Sequence, residues 1–502
     1  MACAGAPDHS YDAVIAGASL GGLAAGAMLA NKGYSVAVVD ALPQPGGRMG
    51  ATLQGDYWMS WGQRDGLGST DLAYIPHYIH AAAEIAGVSL NFAPFCDRCF
   101  RLHWLPDGST SELPAELVVP NNNEPMELLR EMVRCFGRIT EPGRVEELAG
   151  KLGMVLGQLR DTPEDEAWRL VPVRLDDWLL RNVPDLEIRQ IILQQAECNP
   201  FTPAEESSLG RYIMHLNHVN GIAVVPDDPE VGGMQGTIQP WYRRLKELGA
   251  DFYQGWKPIE ITHGNGGVTG LVAVNDGSLV KSFTAPIVIC DWPGWMLTDL
   301  VEERDLPSQF VEAARATRAY ASETASWWAG LSRLPKVRST GAIEDLSSPW
   351  ERILWGDGTL KRFYGGFYFP SVFSKQSAPP GKHLLAVETV GSSNQPGREW
   401  RRWADAKAHV DSMVDYLFNY YADLEDCIEW SSYQYTDPPS ILTWYIKPIY
   451  RHPVKVETID GLYMASASAE GKGSWIDIEA GSALTAVRLA EFERGELCKR
   501  EG

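Results

Sequence analysis

Positive charge is scarce: 44 Lys and Arg stand against 65 Asp and Glu in 502 residues, a formal net charge of −21. A phosphate backbone is held by clustered Lys and Arg, so no nucleic-acid partner is expected, and the negative excess favours solubility. Cysteine is sparse too, eight in the whole chain. That is no disulfide framework, and an intracellular chain would keep such thiols reduced. Cys96 and Cys99 form one C-x-x-C, but no second pair follows at zinc-finger spacing, so they read as structural thiols beside a strand. The ten histidines show no metal-ligand pattern, and neither H-E-x-x-H nor a G-x-S-x-G elbow occurs. No metal is therefore expected, and hydrolytic chemistry is excluded.

Long apolar runs are also missing. The longest late one, Ala285 to Leu297, is broken by Asp291 and Pro293 and falls short of the roughly 20 residues a membrane span requires. Met1 to Ser10 lacks a basic region followed by an apolar run, hence any secretory signal. The expectation is a cytoplasmic protein with no membrane span, compatible with peripheral membrane association and with assembly into homo- or hetero-oligomers with a related subunit. There is no internal repeat. The length suits two domains, and 45% hydrophobic with 22% charged residues is a globular composition.

What is present is concentrated at the start. Tyr11 to Ala16 reads as an apolar strand, Gly17-Ala18-Ser19-Leu20-Gly21-Gly22 opens a helix that runs to Asn31, and Gly33 closes it. Ser35 to Val39 is a second strand ending on Asp40, an acidic residue at the distance that a dinucleotide-binding unit requires. Gly17 would permit the tight turn and Gly22 close packing of helix on strand, while the helix N-terminus offers N–H groups to a pyrophosphate and Asp40 accepts from a ribose. Ser19 replaces the usual middle glycine.

Just beyond the second strand lies Pro45-Gly46-Gly47-Arg48. Here the chain resembles the phytoene desaturase and flavin amine oxidase superfamily, whose G-G-R turn touches the phosphates of FAD. The resemblance implies that FAD is the cofactor, with Gly46, Gly47 and Arg48 at its pyrophosphate. Gly232-Gly233-Met234-Gln235, with a helix to Leu248 and strands around Ile259, Val268 to Val274 and Pro286 to Cys290, matches the family's return to the FAD domain and implies a backbone contact to adenine near Ile259. The block Gly461 to Ala465, followed by a helix from about Trp475 to Leu489, matches the family's last segment. Relatives carry Gly-Asp after that strand, the Asp binding the ribityl chain; this chain has Ser466-Ala467. Ser466, Ser468 or Glu470 would have to substitute, while N–H groups near Ile476 and Asp477 still face the flavin's negative edge. The only Cys or His beside that block is His452, so FAD would be held without a covalent bond.

The expected architecture is α/β. A Rossmann-like FAD-binding domain with a parallel sheet comprises residues 1–65, 225–300 and 440–502, and a discontinuous substrate domain of mixed sheet and helices comprises 66–224 and 301–439. In the latter, Leu72 to Ala86, Glu124 to Phe136, Val145 to Leu159 and Leu175 to Ala196 read as helices. Thr324 to Gly330, Lys361 to Phe369 and His383 to Thr389 read as strands, and Arg401 to Tyr421 as a covering helix. The many aromatics in that domain or at the domain junction, including Trp327, Trp328, Trp355, Phe367, Tyr368, Phe369 and Tyr450, suit an apolar small-molecule substrate, with Trp444, Tyr445, Trp475 and Tyr364 as pocket candidates. No catalytic residue stands out, so the hard step falls to the cofactor. Three functions fit: a desaturase-like dehydrogenase passing hydride from an alicyclic or isoprenoid substrate to flavin N5, a flavin amine oxidase, or an FAD-weakened or FAD-free partner subunit of a heteromeric dehydrogenase.

Overall fold

The computed structural model describes residues 9–60, 78–94, 98–105, 115–120, 125–198, 207–218, 224–318, 322–343, 351–355, 364–391, 403–440, 451–471 and 476–501. Its centre is a five-stranded sheet in the order Asp251–Gln254, Val36–Asp40, Ala13–Ala16, Val288–Cys290, Leu462–Met464, every pair parallel. The inner strands are apolar on both faces because both faces are covered, as a parallel sheet requires. One cover is the Leu20–Asn31 helix, buried from Leu20 to Ala30. Its small residues let it lie close to its neighbours: a Cβ on Gly26 would already stand 3.3 Å from Ile15 Cγ1. The Gln235–Glu247 and Ile476–Glu501 helices pack beside it.

A four-stranded sheet (His9–Ser10, Val280–Thr284, Gly267–Asn275, Trp256–Gly264) stands next to this core. Its Val280–Thr284 strand is absent from the sequence reading, because Lys281 and Ser282 interrupt its apolar pattern and both are half-buried. A larger sheet of seven strands runs Ile428–Ser440, Ser322–Leu331, His383–Gly391, Tyr364–Tyr368, Glu351–Trp355, Arg98–Leu105, Ala115–Pro120. The Trp403–Tyr420 helix covers one face, through Val410, Met413 and Leu417 against Trp327, Phe367 and Val387. Trp328 and Tyr368 point the other way and pack against Tyr57 and Met59 of the Tyr57–Ser60 strand. Alternation along the strands therefore makes these aromatics core rather than pocket lining.

A helical bundle with its own core, from Pro125–Gly137 to Leu209–His218, packs beside the Ala115–Pro120 strand. The single helix read over Leu175 to Ala196 is two, Leu175–Asn182 and Leu186–Cys198. Pro184 has no N–H to continue the first, and the Asp185 carboxylate caps the second by accepting from the Glu187 and Ile188 N–H groups. The last helix continues past Leu489 to Glu501. Among the described residues no helix is long and apolar enough to cross a membrane.

Candidate functional site

Ligands of open parallel sheets bind at the carboxyl ends of the strands, and there the chain's distant glycine and acidic residues meet. Gly17 leaves the first strand at φ +111°, a conformation that favours glycine. Its N–H donates to Val39 O at 2.8 Å, the Ala18 N–H to Asp40 Oδ2 at 2.7 Å and the Ser19 N–H to Asp291 Oδ2 at 2.6 Å. The turn is thus stitched to the strands on both sides. A Cβ on Gly17 would fall 1.6 Å from Asp291 Oδ1, one on Gly22 2.6 Å from Asp291 Oδ2, and one on Gly21 1.8 Å from Ala465 O. At Gly22 the strand is as close as expected, Ile15 Cγ2 lying 3.0 Å from such a Cβ, and the Asp291 carboxylate is closer still.

Ser19 faces the second glycine turn: a Cβ on Gly47 would stand 3.1 Å from Ser19 Cβ. Gly46 and Gly47 both have positive φ, and the Gly46 N–H donates to Ala18 O at 2.7 Å. Gln235 secures that turn, its Nε2 donating to Pro45 O at 3.2 Å and its Oε1 accepting from the Ala51 N–H at 3.3 Å. Arg48 lies in the Gly47–Met49 turn, and its side chain is outside the described residues. The Leu20–Asn31 helix carries no acidic residue in its first turn. Its leading N–H groups therefore present, between the two glycine turns, a positive end that no acid of the helix's own first turn neutralises.

Two carboxylates border this end. Asp40 is buried, and its other oxygen accepts from the Leu42 N–H at 2.6 Å; burial raises its pKa against the pull of these two N–H groups. Asp291 is pushed up to about 8, first by burial and then by the charge of Asp40. At neutral pH it holds a proton, which removes one negative charge from beside the helix end.

At the far strand, the Ala465 N–H donates to Cys290 O at 2.8 Å. Ser468 Oγ then lies 2.8 Å from Ser466 Oγ, 2.8 Å from His452 Nε2 and 2.8 Å from the Gly294 nitrogen. His452 is fully buried, which brings its pKa down to about 4, and its Nδ1 lies 3.0 Å from Pro453 O. A neutral ring with Nδ1–H on that carbonyl leaves Nε2 as acceptor. Ser468 therefore donates to His452 and accepts from Gly294 and Ser466. Ser468 has no capacity left for a ligand, whereas Ser466 keeps its lone pairs.

The terminal helix differs from expectation. Ile476 and Asp477 do begin it, but Asp477 and Glu479 are both buried in its first turn, and Asp477 Oδ1 accepts from the Ile79 N–H at 2.9 Å. Its positive end is met by its own carboxylates. Ile259 stands at a β-bulge between Pro258 and Glu260 and is 41% exposed; a bulge residue keeps its peptide group out of the ladder. Tyr364 begins a strand of the seven-stranded sheet, with its side chain outside the described residues, as are Trp444, Tyr445 and Trp475 entirely. On that sheet Glu388 is buried, with Ser326 and Gly366 opposite it in register and the Tyr368 hydroxyl 3.4 Å away.

Residues 15–82 match the family model of the NAD(P)-binding Rossmann-like domain. No curated protein sequence matches the chain significantly. Among solved structures, an oxidoreductase from Methanosarcina mazei aligns over 95% of this chain and 99% of its own, with 16% identity and a TM-score of 0.66. Cyclohexylamine oxidase from Brevibacterium oxydans aligns over 96% and 99%, with 16% identity and a TM-score of 0.58. Putrescine oxidase bound to putrescine aligns over 97% and 99%, with 16% identity and a TM-score of 0.59. The chain has the fold of these oxidases. The resemblance drawn from the glycine motifs thus holds for the fold end to end, and that fold brings the blocks at Gly17, Gly46 and Ala465 to one edge of one sheet. Sequence reasoning missed Asp291, whose only signal was an acid closing the apolar run Val288–Cys290, and the pairing of His452 with Ser468, which are 16 residues apart and carry no motif.

Proposed function

We propose that the chain is an FAD-dependent oxidoreductase of small molecules. The carrying observation is the open helix end at Leu20, set between the Gly17–Gly22 and Gly46–Gly47 turns at the carboxyl edge of the parallel sheet. It fits a pyrophosphate: the glycines leave room, the N–H groups attract anions, and the neighbouring Asp291 is neutral. Arg48 would pair with the same phosphates, Asp40 would meet the adenosine ribose, and the free peptide at Ile259 the adenine. Ser466 and the start of the terminal helix at Ile476 and Asp477 would adjoin the flavin. Residues 1–65, 225–300 and 440–502 would hold the cofactor, and 66–224 with 301–439 the substrate. Bound there, the flavin would supply hydride acceptance from a C–H or C–N carbon. The chain's own part is to hold, orient and shield.

For the substrate, the Gly46-Gly47-Arg48 turn and the Gly232-Gly233-Met234-Gln235 block support a desaturase-like reaction on an apolar body. Amine oxidation is the second reading, favoured by the likeness of the whole fold to cyclohexylamine oxidase and putrescine oxidase. The test is the visible spectrum of the purified chain, followed by acid precipitation and by anaerobic titration with cyclic terpenes and amines. Yellow flavin should appear in the supernatant and bleach with one class. A chain that stays colourless after incubation with FAD would leave the partner-subunit role in place of the enzyme.

A further inference from the structure

Beyond the Leu462–Met464 strand the chain doubles back on itself. His452 pairs with Ala469 in a parallel bridge, and the Glu470 N–H donates to His452 O at 2.8 Å. This puts Arg451 and Glu470 on adjoining segments at the carboxyl edge of the parallel sheet, two residues past Ser468. The Leu209–His218 helix of the bundle brings Arg211 into electrostatic range of both.

Arg211 is only 4% exposed. Its guanidinium stacks 4.5 Å from the Trp168 ring, and Nη1 reaches nothing more polar than Met214 Sδ at 3.9 Å. Nε and Nη2, both buried, have no hydrogen-bond partner. Glu470 acts on Arg211 through space, without a hydrogen bond between them. Arg451, 2% exposed, lies close enough to feel the repulsion of the Arg211 charge. A buried, uncompensated guanidinium costs several kcal/mol, and a methionine would fill the same space without that cost. The arrangement is stable once an anion takes the open donors.

We propose that Arg211, with Arg451 beside it, binds a carboxylate of the substrate. The two open donors of Arg211, Nε and Nη2, lie on one edge of the guanidinium, a shape that matches a planar carboxylate rather than a tetrahedral phosphate. A planar guanidinium fork pairs with a planar carboxylate through two parallel hydrogen bonds. The substrate would then be an acid whose remaining body is oxidised near the flavin. That last clause rests on the proposed function; the anion site does not.

The test is calorimetric titration of the full chain with benzoate and cyclohexanecarboxylate, their amides, and inorganic phosphate, with flavin content read from the absorbance of the same samples. The acids should bind at least about tenfold more tightly than the amides. Arg211→Met should remove that preference while leaving flavin content unchanged, and should keep or raise the melting temperature without ligand. Arg211→Lys keeps the charge but loses the fork, and should fall between. Equal binding of acids and amides, tighter binding of phosphate, or wild-type acid affinity in both variants would overturn the proposal. Acid binding by a colourless chain, lost in Arg211→Met, would uphold the anion site and defeat the flavin reading. A yellow chain indifferent to carboxylates would do the reverse.

Discussion

Asp291 Oδ2 accepts the Ser19 N–H at 2.6 Å across 272 residues of sequence, and the other oxygen of the same carboxyl occupies the space a Gly17 side chain would need. One buried acid thus fixes both the path and the composition of the glycine turn.

That acid should be visible in the pH dependence of stability. With its pKa raised to about 8, the folded chain holds a proton that the unfolded chain has released. The contribution of Asp291 to stability therefore falls as pH climbs from the ordinary carboxylate range to about 8, and is level above. Asp291→Asn keeps an acceptor for Ser19 and should remove the decline, a gain of a few kcal/mol at pH 8. Urea melts between pH 6.5 and 9 would check it; parallel profiles for the two proteins would refute it.

His452 acts with the opposite sign. Its pKa is depressed to about 4, so the unfolded chain takes up a proton near pH 6.5 that the folded chain refuses. Stability is lost as pH falls from about 6.5 to about 4, by up to about 3 kcal/mol. His452→Gln should flatten that acid limb, measured by the same melts. Ser468→Ala removes the hydroxyl that joins His452, Ser466 and Gly294, and should cost about 1 to 3 kcal/mol at every pH.

Gly17→Val places a branched side chain on Asp291 at a positive φ and should abolish flavin retention. Asp40→Ala leaves the Ala18 and Leu42 N–H groups without their acceptors, a loss of about 1 to 3 kcal/mol, and should lower occupancy less. The ratio of flavin to protein absorbance after gel filtration distinguishes them. Full occupancy in both would place the cofactor elsewhere.

Ala467 is half-buried where relatives place a ribityl-binding acid, and its neighbour Ser468 is already committed to three partners. Ala467→Asp should therefore tighten FAD by up to about tenfold, the worth of one added hydrogen bond. Fluorescence titration of apoprotein would show it, and abolished binding would mean that the site is shaped around the smaller residue.

The first strand, the glycine turn, its helix and Asp40 were legible in the sequence because their periods and spacing are local and each residue type has one physical job there. So was the fold, since three separated motifs keep a family order. The partners of those motifs were not legible. Nothing near Asp291 indicates that it will close on Gly17, and the burial that neutralises it comes from packing that no local pattern records. The aromatics misled for a related reason: Trp327 and Trp328 are neighbours in sequence but face opposite sides of a sheet, and both sides proved to be core. Arg211 belongs to no motif, and only the packing around it sets it apart.

The parallel sheet takes its central strands from residues 13–16 and 36–40, its next from 288–290 and its edge from 462–464. Such separations give the cofactor edge a high contact order, and pairing of this kind forms slowly. During synthesis the amino-terminal strand–helix–strand unit gains its flanking strands only at residues 251–254 and 288–290, and the 288–290 strand then keeps one apolar edge bare until residues 462–464 follow. The site is consequently the last part of the molecule to become complete, and the nascent chain is most prone to aggregate just before Leu462 to Met464 arrive to seal the edge.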